Sequence, residues 1–400
     1  MKILMLTPYL PYPPSSGGQI RSYNLIKELS KHHDIYLIGL IKQDTEKEHI
    51  AHLKQYCKEI HACSRSKTPW TVKNVFKSVF GLLPFVVVRN YSEEARVVVE
   101  KLLKREQIDL IHAETFYVMP HIPKTNVPIL LVEQTIEYRV YQHYIDNLPI
   151  PLLPTLLKID IMKLKYWEKT YWQKASIVGA VSQEDKVEMH KLIPNLPVEI
   201  IPNAAGEDLM ELYSKKINKT DITFLYVANF SWLQNVEGAD ILAKKVFPKI
   251  LEEIPEAKCI IAGQYANEKI SQLEGERIEI LDLPKTSIAA VKEAYGKGLI
   301  FIAPLEGPGG TRLKILGAMA SGLPVISSKT GVAGLDVEDG KNVMIAKNPA
   351  EFAMKAKQIL NDPALFSSIR ASARKLVEQQ YAYPKIAAKL ERVYQQIKHT

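Results

Sequence analysis

Short runs of apolar, mostly β-branched residues recur along the chain and are separated by longer segments. In the first half these runs lie at 3–6, 35–41, 110–112, 129–132, 177–181 and 200–201. They are apolar on both faces, which is typical of strands that helices cover on each side. Strands that alternate with helix-length segments predict a doubly wound parallel sheet.

The same pattern restarts in the second half of the chain. Its apolar runs lie at 222–227, 259–262, 278–281, 299–303, 325–327 and 343–346. Between the halves, Pro202–Gly206 breaks the periodicity and a polar stretch follows at 214–221, so we place a linker near 203–220. We therefore expect an α/β chain with two Rossmann-like domains, at 1–204 and 205–380, that face a central cleft where ligands bind.

The end of the chain carries a helical stripe instead of a strand. Its apolar positions are Ile386, Ala387, Leu390, Val393, Tyr394 and Ile397. This spacing predicts a C-terminal helix within 381–400 that returns toward the N-terminal domain.

Composition narrows the class of protein. Hydrophobic residues make up 46% and charged residues 24% of 400, which is typical of a globular protein and excludes disordered and collagen-like chains. The net charge of +8 permits anionic partners without choosing among them. Three cysteines are too few for a disulfide framework, no apolar run is long enough to span a membrane, and the first run is too short for a signal peptide. We expect a cytoplasmic protein whose membrane contact, if any, is peripheral, on the inner face.

The most informative segment is 301–326, which predicts a strand, a glycine-rich loop, a helix and a second strand. Gly307, Gly309 and Gly310 permit close approach of a ligand to the backbone, and Thr311 is the expected N-cap. Gly322 is the expected end of the helix. Because the amides of a first helical turn carry partial positive charge, this loop predicts an anion site suited to phosphate.

Two cations, Arg312 and Lys314, follow the loop in what we expect to be the first helical turn. A cation there opposes the helix dipole at a cost of about 0.3–1 kcal/mol, which anion binding would explain. The alternative is that both are solvated, with Lys314 extending past its apolar neighbours. The segment is neither a Walker A loop nor a dinucleotide fingerprint, which disfavours an ATPase or a dehydrogenase.

The stretch Gly310–Ile326 resembles the donor-binding signature of family 4 glycosyltransferases, which are retaining enzymes of the GT-B fold. The subset with Gly-Thr-Arg-Leu-Lys in the donor loop is the most similar. The resemblance covers nearly the whole chain, with further landmarks at Pro13–Arg21, Asp109–His112, Val181–Asp185, Ile200–Asn203 and Phe230–Asn235.

This resemblance implies transfer of a sugar, with retention, from a UDP- or GDP-linked donor to a saccharide or lipid-linked acceptor, in cell-surface or extracellular polysaccharide synthesis. It implies a hexosyltransferase that needs no metal and no resident cofactor, and no nucleic-acid partner. The implied donor-binding residues are Gly309, Gly310, Thr311, Arg312, Lys314, Gly317, Asn229 and Trp232. The implied acceptor-binding residues are Gly17, Gly18, Arg21, Gln134 and Glu137, and the implied catalytic residues are Arg312, Lys314, His112 and Glu114.

The chain departs from the family pattern at four of these positions. Gly309 and Gly317 stand where most members carry glutamates, and Glu114 and Gln134 stand where histidines are common. Gly317 is either a tolerated loss or room for a close neighbour. A catalytically degenerate GT-B scaffold that binds a partner or lipid, and a GT-B sugar-nucleotide epimerase, therefore remain alternatives.

Several single residues allow a functional and a structural interpretation. His112 either faces the cleft or is a satisfied core histidine, and Trp232 either meets the donor or packs. Cys57, His61 and Cys63 are close together but lack the paired spacing of zinc ligands, so we interpret the cysteines as structural thiols.

Residues 65–91 contain five basic residues and no acidic residue. Val72, Val75, Phe76, Val79 and Phe80 fall on one helical face, which predicts a basic amphipathic helix. This helix either docks on an anionic membrane surface or packs its apolar face into the core. A second, weaker membrane candidate is 148–157, which precedes several lysines.

Overall fold

The computed structural model describes residues 1–146, 153–214, 221–307 and 312–398, with side chains left out at 153–156 and 214. The chain divides into two compact units, Met1–Pro202 with the segment from Ile386 onward, and Asn203–Lys385. Both units are parallel sheets covered by helices, so the predicted α/β, GT-B architecture of two Rossmann-like domains is confirmed.

Within the described residues, the first unit has a seven-stranded parallel sheet in the order β3-β2-β1-β4-β5-β6-β7. Its strands are Lys2–Thr7 (β1), Asp34–Ile41 (β2), Glu59–Ser64 (β3), Leu110–Glu114 (β4), Ile129–Glu133 (β5), Ile177–Ala180 (β6) and Val198–Ile200 (β7). All except β3 were predicted. Glu59 and His61 interrupt the apolar pattern of β3, because an edge strand is only half covered.

The helices of this unit cover both faces of the sheet and bury a core built from the strands. They are Gly17–Leu29 (α1), Ile50–Leu53 (α2), Val72–Phe80 (α3), Phe85–Asn90 (α4), Glu93–Arg105 (α5), Glu137–Asp146 (α6), Leu153–Lys174 (α7) and Gln183–Leu192 (α8). The central strand β4 is buried along its whole length, as expected of a doubly wound sheet.

The described part of the second unit has a six-stranded parallel sheet in the order β10-β9-β8-β11-β12-β13. Its strands are Thr223–Val227 (β8), Lys258–Gly263 (β9), Ile278–Asp282 (β10), Ile300–Ala303 (β11), Val325–Ser327 (β12) and Met344–Ile345 (β13). Each one was predicted from its apolar run.

Eight helices in the described residues of the second unit flank this sheet. They are Glu207–Met210 (α9), Leu233–Ile241 (α10), Phe247–Glu253 (α11), Ala266–Ile270 (α12), Ile288–Lys297 (α13), Leu313–Ser321 (α14), Pro349–Asn361 (α15) and Pro363–Leu376 (α16). Short 3-10 turns lie at Asp44–His49, Phe116–His121, Glu211–Ser214 and Ser271–Leu273, and π-helical turns lie at Leu242–Val246 and Val377–Tyr381.

The last helix, Tyr383–Lys398 (α17), begins in the second unit and belongs to the first from Ile386 onward. Its stripe is buried at Ile386, Leu390 and Tyr394. The Tyr394 hydroxyl lies 2.6 Å from His112 Nδ1, and Glu391 lies 2.8 Å from His32 Nδ1. The helix is therefore fastened to the first unit by polar contacts as well as by its apolar face.

The helix α3 exposes its apolar face and buries its polar face, which is the reverse of an ordinary core helix. Phe76 is 62% exposed and Phe80 is 76% exposed, whereas the polar Asn74 and Ser78 are buried. The interpretation in which its apolar face packs into the core is therefore wrong. Of the second membrane candidate, 148–152 lie outside the described residues. Within the described ranges, no helix combines the length and apolarity needed to cross a bilayer.

Each sheet contains one point where the strand order reverses, between β1 and β4 in the first unit and between β8 and β11 in the second. In open parallel sheets, ligands bind outside the carboxyl ends of the strands at such a point. Glu114 ends β4, Asn229 closely follows β8, and Arg312 lies in the segment after β11. The topology thus brings predicted site residues to the expected edge in both units.

Candidate active site

The donor-loop helix α14 begins one residue later than the sequence predicted. Leu313 is its first residue, and Arg312 is the N-cap in an extended conformation. The Arg312 carbonyl accepts the first helical hydrogen bonds from Ile315 and Leu316, at 3.0 and 3.3 Å. Our placement of Thr311 as the cap and of Arg312 in the first turn is therefore wrong. Gly309, Gly310 and Thr311 lie outside the described residues.

The end of α14 follows the prediction, and its beginning carries a buried charge. Gly322 ends the helix with a φ of 80°, in the left-handed region that glycine tolerates. The Arg312 side chain is buried, and its Nη2 donates to the Gly307 carbonyl at 2.5 Å. The guanidinium thus ties the incoming loop to the start of the helix.

Lys314 is held among neutral partners. Its Nζ donates to Asn235 Oδ1, lies 3.4 Å from the Tyr226 hydroxyl, and sits 5.2 Å from the centre of the Tyr226 ring. Burial and the nearby Arg312 charge hold the pKa of Lys314 well below its usual range. The alternative in which Lys314 extends freely into solvent is therefore wrong.

The loop after β8 supports this lysine. Asn235 Nδ2 donates to the Asn229 carbonyl at 2.6 Å, and Asn229 Nδ2 donates to Gln264 Oε1 at 2.7 Å. Trp232 is the N-cap residue of α10 and is 51% exposed, so its ring is not a core packing residue. Asn235 belongs to the segment that carried the family resemblance, but we did not predict it as a site residue. The sequence feature that could have indicated Asn235 is an amide side chain in the first turn of the helix that follows β8, the strand next to β11.

Neighbouring side chains fill the space beside Gly317 where a side chain would lie. A Cβ at this position would lie 2.9 Å from the Tyr295 hydroxyl and 3.0 Å from Leu209 Cδ1. The Tyr295 ring is buried and stacks on Phe301, and its hydroxyl donates to the Lys314 carbonyl at 3.0 Å. Gly317 therefore packs inside the second unit, as in the interpretation in which glycine makes room for a neighbour.

In the first unit, Glu114 is the centre of a buried charge network. Its Oε1 lies 3.7 Å from Arg21 Nε and 3.2 Å from His112 Nε2, and its Oε2 accepts from Gln134 Nε2 at 2.8 Å. Burial alone would raise the pKa of Glu114, but Arg21, His112 and Gln134 outweigh it and hold the pKa below its usual value. The carboxylate therefore stays charged, and the Arg21 guanidinium beside it carries the opposite charge.

The side chains of Arg21 and His112 are buried and are not exposed to a ligand. Both side chains are at most 1% exposed. Arg21 Nη1 donates to the Pro202 carbonyl at 2.8 Å, and His112 Nδ1 lies 2.6 Å from the Tyr394 hydroxyl. His112 is thus a core histidine whose Nδ1 has a hydrogen-bond partner and whose Nε2 faces Glu114 Oε1, and Glu114 is also fully buried.

Gln134 connects this network to the edge of the sheet. Its Nε2 donates to Glu114 and, at 3.1 Å, to the Tyr9 hydroxyl, which leaves the carbonyl oxygen as the group it can offer to a ligand. A Cβ at Gly18 would lie 2.4 Å from that hydroxyl and 2.9 Å from Gln134 Oε1. Gly18 therefore makes room for Tyr9, which sequence reasoning missed. Gly17 is exposed and begins α1, whose cap Ser16 accepts from the Gln19 amide.

Glu137 belongs to a second group of buried carboxylates. Burial raises its pKa to about 7, against the opposing effect of Arg89. Glu133 and Glu168 are also buried, and both pKa values are raised by burial and by neighbouring carboxylates. Trp172 Nε1 donates to Glu133 at 2.9 Å, and Glu168 accepts from the Glu137 amide at 2.8 Å. Burial and mutual repulsion thus favour the protonated form of these carboxyl groups near the end of β5, and sequence alone did not predict the group.

The three cysteines are free thiols. Cys57 and Cys63 are buried, free thiols, and burial raises the pKa of each to about 12. Among the described residues, no group of three or more His, Cys, Asp or Glu side chains is placed to hold a metal ion. The two thiols are therefore core residues, as the spacing indicated.

The chain is similar in sequence to a known protein family and to a bacterial protein. Residues 221–362 match the family model described as "Glycosyl transferases group 1". An uncharacterized 44.6 kDa protein in the cps region of Klebsiella pneumoniae is 23% identical over 403 residues, covering 96% of this chain and 97% of that protein.

Solved structures share the fold at low identity. Sucrose-phosphate synthase from Thermosynechococcus elongatus aligns with a TM-score of 0.71 and 16% identity over 99% of both chains. Anabaena HepE in complex with UDP-glucose aligns with a TM-score of 0.62 and 16% identity, over 99% of this chain and 100% of that one. The chain thus has the GT-B fold and its second unit matches a group 1 glycosyltransferase domain, which together support a GT-B glycosyltransferase.

Proposed function

We propose that the protein is a retaining hexosyltransferase that moves a sugar from a UDP- or GDP-linked donor to a saccharide or lipid-linked acceptor. The observation that carries this proposal is the start of α14, where Arg312 and Lys314 lie together inside the segment that matches the family model. Lys314 is surrounded by neutral groups and by a like charge. An anion bound here would stabilise the positive charge of Lys314.

The donor would bind at this end of the second sheet. Departure of a nucleoside diphosphate builds negative charge on its β-phosphate, and preorganised cations stabilise that charge. A bound diphosphate would also restore the pKa of Lys314 toward its usual value, because its attraction for the ammonium would offset the effects of burial and of Arg312. Asn235 and Tyr226 would hold the ammonium in place before the donor arrives, and the exposed Trp232 would meet the donor base or sugar.

The acceptor would bind at the corresponding edge of the first unit. We assign contact with its hydroxyls to Gln134, whose carbonyl oxygen is oriented by Glu114 and Tyr9, and to Glu137. Glu114, His112 and Arg21 are fully buried and would act as positioning residues. Gly17 and Gly18 would let the start of α1 approach this edge.

The biological setting we propose is cell-surface or extracellular polysaccharide synthesis. The relative from Klebsiella pneumoniae is described by its place in a cps region, and HepE was crystallised with UDP-glucose. We propose that the protein works in the cytoplasm, without a metal or a resident cofactor and without a nucleic-acid partner.

A donor screen tests this reaction. The purified chain is incubated with UDP- and GDP-linked hexoses, with and without a lipid-linked or polysaccharide extract, and products are analysed by mass spectrometry and by NMR of the new linkage. We expect sugar transfer only with acceptor, an α linkage from an α-linked donor, and no loss of activity in EDTA.

The other outcomes identify the alternatives. Donor turnover without acceptor would indicate an epimerase. No turnover with any donor, despite nucleotide binding, would indicate a degenerate scaffold. An inverted linkage would contradict the retaining mechanism while leaving the transferase in place.

A further inference from the structure

The helix α3 exposes an apolar face that nothing in the described structure covers. Its outward residues are Val72, Phe76, Val79 and Phe80, which are 62–87% exposed. Trp70 and Leu82, at the two ends of the helix, are 71% and 83% exposed. We call these six residues the α3 patch. Large aromatic and aliphatic side chains grouped in this way mark an interaction surface.

The orientation of α3 is fixed by its polar inner face. Asn74 Nδ2 donates to Ser66 Oγ and to the Pro69 carbonyl, both at 3.0 Å. The Ser78 hydroxyl donates to Asp160 Oδ1 at 2.9 Å, and Lys163 Nζ donates to the Ser78 carbonyl at 2.7 Å. Because these contacts hold the polar side against α7 and against the segment before α3, the apolar side is directed outward by the fold.

The neighbouring helix α7 extends this surface. Ile159, Met162 and Tyr166 are 55%, 71% and 63% exposed. Trp167 Nε1 donates to the Leu82 carbonyl at 2.8 Å, which fixes the end of the α3 patch beside α7. The exposed apolar residues of the two helices therefore lie on adjoining elements of one unit.

Charge identifies the partner. Lys67, Lys73 and Lys77 are exposed around the α3 patch, and no acidic residue occurs in 65–91. Lys158 and Lys165 are exposed on α7. Apolar side chains flanked by lysines fit the boundary between the headgroups and acyl chains of an anionic bilayer, where each lysine adds attraction to the acidic lipids.

A second copy of the chain fits this surface less well. A symmetric interface would place the α3 patches of two copies against each other, and would bring Lys73 and Lys77 close to the same lysines of the other copy. Repulsion between like charges would oppose that association, whereas an anionic surface neutralises all of them.

We propose that the first unit docks on an anionic lipid bilayer through the α3 patch, with its aromatic residues inserted at the headgroup level. This docking does not depend on the proposed reaction, although it would bring the acceptor-binding unit to a lipid-linked substrate.

Vesicle sedimentation of the full chain tests the docking. The protein is mixed with vesicles of phosphatidylcholine alone or of phosphatidylcholine with phosphatidylglycerol, without nucleotide or acceptor. We expect binding to the anionic vesicles that weakens at high salt. The double variant Phe76→Ser and Phe80→Ser should lower vesicle partitioning by at least about tenfold, because two exposed aromatic side chains no longer enter the lipid.

Two further variants separate the contributions. Lys73→Glu with Lys77→Glu should abolish the preference for anionic vesicles. Met354→Ser, which changes an exposed apolar residue of the second unit, should leave partitioning unchanged. Melting temperature and nucleotide-induced stabilisation should be the same in every variant, which separates failure of docking from failure of the proposed reaction.

Three results would overturn the proposal. One is an absence of binding to anionic vesicles by the wild-type chain. Another is equal partitioning of wild type and the Phe76→Ser, Phe80→Ser variant. The third is a dimer in sedimentation analysis that this variant dissociates, which would assign the α3 patch to a second copy of the chain.

Discussion

The two units carry buried charges at equivalent edges of their sheets but neutralise them differently. In the first unit, the Glu114 carboxylate lies between the Arg21 guanidinium and His112, so a charge of opposite sign compensates it. In the second, Lys314 contacts the neutral Asn235 and Tyr226, and the nearby Arg312 carries the same sign. A compensated network supports structure, whereas like charges held together favour an anionic ligand.

The largest effect should come from breaking the compensated network. Glu114→Gln leaves Arg21 buried beside a neutral amide and should lower the free energy of unfolding by about 3–5 kcal/mol. Chemical denaturation measures this loss. The exposed Glu184 of the same unit provides the control, since Glu184→Gln should cost less than about 1 kcal/mol. Equal effects would refute the compensated network.

The pH dependence of stability tests the second group of carboxyls in the first unit. Burial raises the pKa of Glu137 from 4.5 to about 7, so the folded state keeps a proton that the unfolded chain loses. Stability should therefore fall as pH rises from 4.5 to about 7, with Glu137 contributing on the order of 3 kcal/mol.

Glu137→Gln should reduce that dependence by about one proton, or about 1.4 kcal/mol per pH unit. Glu133 and Glu168 act in the same direction and remain in the variant, so some slope should persist. Denaturation curves across this pH range measure it, and an unchanged slope in the variant would show that Glu137 titrates normally.

Packing at Gly317 tests how tightly the donor-loop helix is held. A methyl group there would press on the Tyr295 hydroxyl and Leu209. Overpacking of about 1–3 kcal/mol should exceed the gain of about 0.5–1 kcal/mol from replacing a helical glycine, so Gly317→Ala should be destabilising. The cost should be smaller in a Tyr295→Phe background, which removes the hydroxyl. A double-mutant cycle by denaturation measures this coupling, and simple additivity would contradict the contact.

The smallest change in stability should follow removal of the Lys314 charge, whose described hydrogen-bond partners are neutral. Lys314→Met loses the hydrogen bond to Asn235 but also removes a desolvated ammonium beside Arg312. These effects oppose each other, so the free energy of unfolding should change by no more than about 1 kcal/mol. A loss as large as that expected for Glu114→Gln would remove the difference between the two units.

The positions of the strands could be predicted from the sequence, because buried parallel strands are apolar on both faces. The exception, β3, is an edge strand with polar positions at Glu59 and His61. The contacts between side chains of the candidate site were harder to predict. Asn235 contacts Lys314, and Tyr9 contacts Gln134, because separate strands of each sheet end at the same edge. No local sequence pattern indicates these contacts.

The start of α14 illustrates a different limit. Capping preferences pointed to Thr311, but the first helical hydrogen bonds are accepted by Arg312, one residue later. The direction of α3 is a third case. Its amphipathic spacing was clear, but only the contacts of Asn74 and Ser78 determine which face is buried.

Nucleotide binding at the start of α14 is the central claim, and calorimetric titration with UDP and GDP tests it most directly. The wild-type chain should bind at least one of them. Arg312→Ala and Lys314→Met should each weaken binding by about tenfold or more, as expected for loss of a charge-assisted contact. Lys245→Met, at an exposed lysine of the same unit, should bind like wild type. Equal affinity in all four proteins, or no binding of either nucleotide by the wild type, would contradict the assignment of the donor site.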